Sequence, residues 1–224
     1  MMRAILELTL KDLMIELRRP HEISSALLFT FASVFTLGLS STDAPTAIRS
    51  VYPAMIWIIL YFASTFIFAS SFLSESDQGT IRGLRSLPFS MNLVLYGKAL
   101  YCLILLSLTM TMLMISSAIF LGVRLGTLSL VILGIVFLVS ATGFSLLGCL
   151  TSAMLMFSEG RRLLIVFVLL PISLPILIPC ISSTRKIVEG LTFWDIVPEM
   201  QLIVAFTIII YLVSSLGFES IISE

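Results

Sequence analysis

A polar stretch between two long apolar runs, residues 75–88, holds the side chains best placed to bind a partner. Asp77 and Thr80 are residue types that accept hydrogen bonds from free backbone N–H groups at a helix start, and Gly79 lets the chain turn. Three apolar residues then recur at a spacing of three, on one side of a short helical turn: Ile81, Leu84 and Leu87. The pattern predicts an apolar surface suited to protein binding.

The same turn carries a basic border. Arg82 and Arg85 lie beside the apolar side, and Pro88 ends the helix at or before Leu87. A solvated hairpin between two membrane helices is the plainer interpretation of the segment. A partner-binding role is favoured because the chain holds no energy source of its own.

The rest of the sequence offers little catalytic chemistry. There is no GxxxxGK[ST] loop, so the chain does not bind ATP in the P-loop manner. The single histidine, His21, cannot build a metal or haem site without help. Cys102, Cys149 and Cys180 are far apart in apolar surroundings, which favours small buried hydrophobic residues over a metal site. The chain is therefore not predicted to be an enzyme.

The elements that position these residues are membrane helices. A hydrophobic content of 58%, a charged content of 12% and a mean hydropathy of +1.13 exclude a water-soluble domain. Zero net charge gives no reason to expect nucleic acid as a partner. Six uncharged stretches reach the roughly 20 residues that cross a bilayer; they are residues 23–42, 50–74, 99–123, 125–158, 163–184 and 200–218.

The sequence thus predicts an all-α polytopic membrane protein, a single transmembrane domain over 1–224 with six transmembrane helices. The fourth stretch exceeds one span but is too short for two, so it is interpreted as one long helix. Residues 3–19 form an amphipathic helix in the membrane interface, with one apolar side: Leu6, Leu10, Leu13 and Leu17.

Lys and Arg residues set the orientation. Nine of the thirteen fall on the side of the N-terminus and four on the other side. Positive charge collects on the cytoplasmic side, so both termini and the loop 75–98 are predicted to be cytoplasmic.

The fifth stretch contains Pro171, Pro175 and Pro179, and each proline removes the donor to the carbonyl four residues earlier. We therefore expect a helix break, with the distal part unwound or re-entrant and its carbonyls facing protein or water. The following segment, 185–199, is interpreted as short interfacial helices. Trp57 and Trp194 are expected at the membrane interface. Gly122 and Gly126 are interpreted as turn residues.

In its order of features the chain resembles the CcmB family, haem exporter protein B of cytochrome c maturation, an ABC-type permease with six membrane helices. The similar features are Glu16-Leu17-Arg18-Arg19, Pro53-Ala54-Met55-Ile56-Trp57, the loop residues Glu75, Asp77, Gly79 and Thr80 followed by Leu87-Pro88 and Lys98, and the run from Val168 through Pro171 and Pro175 to Ile178. The sequence departs from the family at two positions, Arg82, where a carboxylate is expected, and the additional Pro179.

The resemblance implies a subunit of the inner membrane that works with a separate CcmA-like ATPase and with CcmC- and CcmD-like proteins. Together they release the haem-loaded chaperone CcmE. Haem is then a transported or handled ligand and not a directly bound cofactor. The ATPase-coupling residues are Glu75, Asp77, Gly79, Thr80, Ile81, Arg82, Leu84, Arg85 and Leu87.

Alternatives remain at this point. Within the family, the subunit is either a haem channel or a force transducer that remodels the CcmC–CcmE complex, and the transducer is favoured. Outside it, the rivals are an ABC-type exporter permease for a lipid or another hydrophobic substrate and a non-transporting membrane scaffold.

Overall fold

Helices make up the part of the chain that this computed structural model describes, residues 2–18, 20–40, 45–72, 91–123, 125–156 and 158–223, and no strand occurs among them. The helices are α1 (Met2–Arg18), α2 (His21–Ser40), α3 (Pro45–Ser71), α4 (Met91–Phe120), α5 (Thr127–Leu155), α6 (Arg161–Val188) and α7 (Val197–Ser223), with a short 3-10 helix, η1, at Phe193–Ile196.

Six of these helices, α2 to α7, contain a segment long and apolar enough to cross a membrane. The prediction of an all-α polytopic membrane protein is confirmed. The long fourth stretch is one helix of 29 residues, α5, as its length predicted.

The core lies where α3, α4 and α5 meet, with α6 packed on α3 and α5. Glycines bring the helix axes together: Gly148 of α5 meets the ring of Phe68 on α3, and Gly143 of α5 faces Thr207 of α7. In contrast, α2 and α7 bury few side chains and lie at the outside of the bundle. Their exposed apolar residues suit contact with lipid.

Glycines with positive φ end two of the helices. Gly122 (φ 63°) follows α4 in the short connection to α5, which confirms that this region is a turn. Gly190 (φ 83°) ends α6 in a Schellman motif: its N–H donates to the Ile187 carbonyl at 3.1 Å, and the N–H of Leu191 donates to the Lys186 carbonyl at 3.0 Å.

Residues 185–199 were predicted to form several short helices, but the structure has one short helix there. Residues up to Val188 belong to α6, and η1 is the one short helix before α7 begins at Val197. Thr192 and Asp195 form a capping box at η1, where the Thr192 N–H donates to Asp195 Oδ2 at 2.9 Å.

The predicted helix break at the three prolines is wrong. Helix α6 runs without interruption from Arg161 to Val188 and contains Pro171, Pro175 and Pro179. Their spacing of four residues places the lost donors along one side of the helix, so hydrogen bonds on the other sides still hold it together. Pro171 and Pro175 are exposed and Pro179 is buried.

Candidate functional site

The predicted coupling residues lie outside the described residues. All of them fall within 73–90: Glu75, Asp77, Gly79, Thr80, Ile81, Arg82, Leu84, Arg85 and Leu87. Their role stays a prediction. The structure does describe what flanks them, because α3 ends at Ser71 and α4 begins at Met91. We call this end of the bundle the loop end.

The start of α4 corrects the predicted limits of the loop. The sequence placed Lys98 at the end of a cytoplasmic loop 75–98, but residues 91–98 are helical and Lys98 is only 4% exposed. Lys98, which lies just before the uncharged stretch 99–123, therefore belongs to the same helix and is buried. Buried charges need partners, and the surroundings of Lys98 supply them.

Lys98 connects three helices at the loop end. Its ammonium Nζ lies 3.2 Å from Asp12 Oδ2 on α1 and donates a 2.9 Å hydrogen bond to the Ser71 carbonyl at the end of α3. The same Nζ lies 5.2 Å from the ring centroid of Phe72. The negative end of the α3 dipole adds to this attraction, because cations are favoured near helix C-termini. We call Asp12, Ser71, Phe72 and Lys98 the Lys98 network.

Glu16 forms a second polar junction one turn further along α1. Its Oε1 accepts a 3.0 Å hydrogen bond from the N–H of Ile23, and its Oε2 accepts a 3.1 Å hydrogen bond from the Tyr101 hydroxyl on α4. Ile23 lies in the first turn of α2, where backbone N–H groups have no partner within the helix. The carboxylate thus caps α2 and fixes α1 to α4, and Glu16 is only 8% exposed.

Close packing supports these polar contacts. The Thr9 hydroxyl lies 2.9 Å from the Gly97 carbonyl of α4. A Cβ added to Gly97 would lie 3.0 Å from the Cβ of Leu8, so a larger residue here would require α1 to shift by a few tenths of an ångström. Helix α1 therefore turns Thr9, Asp12 and Glu16 toward the bundle.

The opposite side of α1 is apolar and exposed. Its members are spaced three and four residues apart, and they are Leu6, Leu10, Met14 and Leu17. We call them the leucine stripe. The sequence predicted such a side with Leu13 in it, but Leu13 packs against the core and Met14 is exposed instead. The exposed side suits insertion into a lipid surface.

The end of α3 is also fixed to α5. The Phe72 N–H donates to Ser152 Oγ at 3.2 Å, and Ser71 Oγ lies 3.4 Å from Cys149 Sγ. Cys149 and Cys102 are free, buried thiols. The residue immediately before the undescribed segment 73–90 is thus bonded to the core of the bundle.

At the other end of the bundle, a second lysine joins α6 to α7. Lys186 Nζ lies 2.7 Å from Glu199 Oε1 and donates to the Asp195 carbonyl at 2.6 Å, and the Ser182 hydroxyl also donates to Glu199 Oε1 at 3.2 Å. These contacts hold η1, whose Trp194 is 78% exposed. Trp194 lies at the start of the last long apolar segment, Phe193–Leu216, and its interface position stays a prediction.

Trp57 was expected at the membrane interface, and this expectation is wrong. Its side chain is buried, and Nε1–H donates a 2.8 Å hydrogen bond to the hydroxyl of Thr184 on α6. Tyr61, one turn later, donates to the Val166 carbonyl of α6 at 2.6 Å. The α3 aromatics therefore join α3 to α6.

None of these clusters has the arrangement of a catalytic site. Within the described residues, no group of three His, Cys, Asp or Glu side chains could hold a metal ion. The charged groups instead connect helices to one another.

Comparison with known proteins assigns the chain to a family. A family model described as CcmB protein matches residues 3–222, which is nearly the full chain and includes α1, the six long helices and residues 73–90. A search of the curated proteins finds no match. The family match agrees with the six long apolar helices. The chain therefore belongs to the CcmB family.

Proposed function

We propose that this protein is the membrane subunit of an ATP-driven complex of cytochrome c maturation, in which it passes the force of ATP hydrolysis from a separate ATPase to a haem-handling step. Family membership carries the proposal, because the CcmB family belongs to haem export and cytochrome c biogenesis. The energy comes from a CcmA-like partner, since the sequence holds no P-loop.

Residues 75–87 are the proposed contact with the ATPase. Ile81, Leu84 and Leu87 fill an apolar groove on the ATPase, and Arg82 and Arg85 pair at its rim. Buried apolar anchors carry most of the energy of an interface, whereas rim charges carry little. What supports this assignment is that both flanks of the segment are fixed, by Phe72 to α5 and by Lys98 to α1.

We favour force transduction over passage of haem through this subunit. The chain contains one histidine, His21, and one exposed tryptophan, Trp194. These are few side chains with which to bind a haem. In this scheme haem stays with CcmC- and CcmD-like partners in the inner membrane. Movement of the subunit then releases the haem-loaded chaperone CcmE.

The test compares two classes of loop variant. Leu84→Asp puts an unpaired carboxylate in the dry centre of the contact and costs on the order of 3–5 kcal/mol, enough to lose the complex. Arg85→Ala weakens binding modestly and mainly at low salt. Leu84→Met, which nearly conserves volume, is the matched control and retains the ATPase.

The measurement is co-purification of the ATPase with each tagged variant, with cytochrome c production followed in the same strains. We expect only Leu84→Asp to lose both. If Leu84→Asp keeps the ATPase and normal cytochrome c levels, the segment is only a connector. If cytochrome c forms normally without this protein, the haem-handling role is wrong and a different hydrophobic substrate or a scaffold role takes its place.

A further inference from the structure

We propose that Lys98 is a positioning residue that couples the membrane-surface helix α1 to the two helix ends flanking residues 73–90. The inference deepens the proposed function and rests on it. It makes α1 a moving part of the energy-coupling apparatus, with the lipid surface as its support. The observation that carries it is the Lys98 network, in which one buried ammonium contacts α1 and the last residues of α3.

The burial of Lys98 is the first step. A lysine ammonium is strongly hydrated, so a nearly buried one persists only where its protons find acceptors. Here the acceptors come from two other helices, Asp12 of α1 and the Ser71 carbonyl of α3. If α1 moves away, the Lys98 ammonium loses the Asp12 carboxylate, and Asp12 keeps, among the described residues, only Lys11 of its own helix, at 3.5 Å. Moving α1 away from α4 therefore costs much more free energy than moving the two helices together.

The position of Ser71 is the second step. Ser71 and Phe72 are the last residues described before 73–90, and Phe72 also faces the ammonium. Lys98 itself lies two turns into α4, which begins directly after that segment. One side chain thus contacts both sides of the segment proposed to receive the ATPase. A movement of residues 73–90 is therefore transmitted to α1 through the Lys98 side chain.

The leucine stripe is the third step. Leu17 is 74% exposed, and the other members of the stripe are about half exposed. A helix with one apolar side and one charged side lies in the plane of the membrane surface. Arg3 and Glu7, paired at 3.2 Å and exposed, lie beside the leucine stripe, where their long side chains can reach the polar membrane surface. Helix α1 is thus held by lipid on one side and by Lys98 and Glu16 on another.

The test uses amide hydrogen–deuterium exchange on the full-length protein in its complex, reconstituted in lipid nanodiscs. Lys98→Met keeps a long side chain but removes the ammonium, and Asp12→Asn breaks the same ion pair from the α1 side. We expect exchange in α1 to rise about tenfold in each, since contacting groups couple by factors of that order. The double variant should exchange no faster than the faster single variant, because the pair is already lost.

Arg3→Met is the matched control. Like Lys98→Met it removes one positive charge, but from an exposed pair within α1, so α1 exchange should stay within about twofold of the unchanged protein. Lys98→Arg keeps a cation and should retain protection.

Cytochrome c production separates positioning from folding. We expect Lys98→Met to keep the ATPase in the complex but to lose most cytochrome c production, and Lys98→Arg to restore it. Unchanged α1 protection in Lys98→Met overturns the proposal, and so does lost protection with normal cytochrome c production. If the Lys98→Met protein does not accumulate in the membrane, the Asp12→Asn variant tests the proposal by the same two measurements, α1 exchange and cytochrome c production. If the unchanged protein does not hold an ATPase, the proposed function fails, and the exchange data still decide whether Lys98 holds α1.

Discussion

Replacement of Gly148 by alanine tests whether α3 and α5 pack as closely as the structure has them. A Cβ at this position would overlap the ring of Phe68, and Phe68 is fully buried. Gly134 lies on the same helix, and a Cβ there would meet nothing within 4 Å. The two substitutions are chemically identical and differ in the space around them.

The expected magnitudes follow from two opposing terms. Alanine gains about 1 kcal/mol over glycine inside a helix. Overpacking of a filled core costs about 1–3 kcal/mol, and the upper end applies here because the neighbour is the body of a buried ring. Gly148→Ala should therefore lower the free energy of unfolding by about 2 kcal/mol. Gly134→Ala should leave it unchanged or raise it by up to about 1 kcal/mol.

The assay is the melting temperature of the purified protein in one detergent. For a chain of this size, 1 kcal/mol corresponds to a shift of about 2–4 °C, so Gly148→Ala should melt about 4–8 °C lower and Gly134→Ala at or slightly above the unchanged protein. If Gly148→Ala melts as high as Gly134→Ala, the α3–α5 contact described here is wrong. The contact of Phe72 with Ser152, one turn further along both helices, would then also lose its support.

Two further predictions concern topology and the prolines. A reporter fused after Glu224 should be cytoplasmic and one inserted near Glu189 exported, because nine of thirteen Lys and Arg residues lie on the N-terminal side; the reverse at both ends would refute this orientation. The double change Pro171→Ala and Pro175→Ala should raise the melting temperature by several degrees, because the helix is already continuous and each alanine restores an N–H donor to it. A lower melting temperature would show that the prolines stabilise α6.

Hydropathy predicted the fold because bilayer thickness fixes the length of a span. Each of the six uncharged stretches became one helix, and the amphipathic repeat of residues 3–19 became α1. The errors occur at the ends of the spans. A hydropathy window treats every charge as a boundary, yet Lys98 and Lys186 lie inside helices because each finds a carboxylate on another helix. Such partners are far away in the sequence.

The remaining errors also come from contacts that are distant in sequence. Proline was expected to break α6, but one lost donor per turn does not outweigh the other bonds of a long helix packed on α3, α5 and α7. Trp57 was expected at the interface because tryptophan is common there, but its N–H bonds to Thr184, 127 positions away. Single-residue preferences could not reveal either arrangement.

The placement of charge suggests how such a bundle moves. At the loop end Asp12 and Lys98 join α1 to α4, and at the other end Lys186 and Glu199 join α6 to α7. Between the ends, the helices are held by apolar packing and by single hydroxyl contacts such as Ser140 Oγ to Cys180 Sγ at 2.9 Å. Apolar packing is less directional than an ion pair. Helices can therefore slide along one another in the middle of the bundle more easily than the ion-paired helices can separate at its two ends. We therefore propose that a force on residues 73–90 moves α1 and α4 together with α3 and α5, which are bonded through Phe72 and Ser152, rather than opening a path through the core.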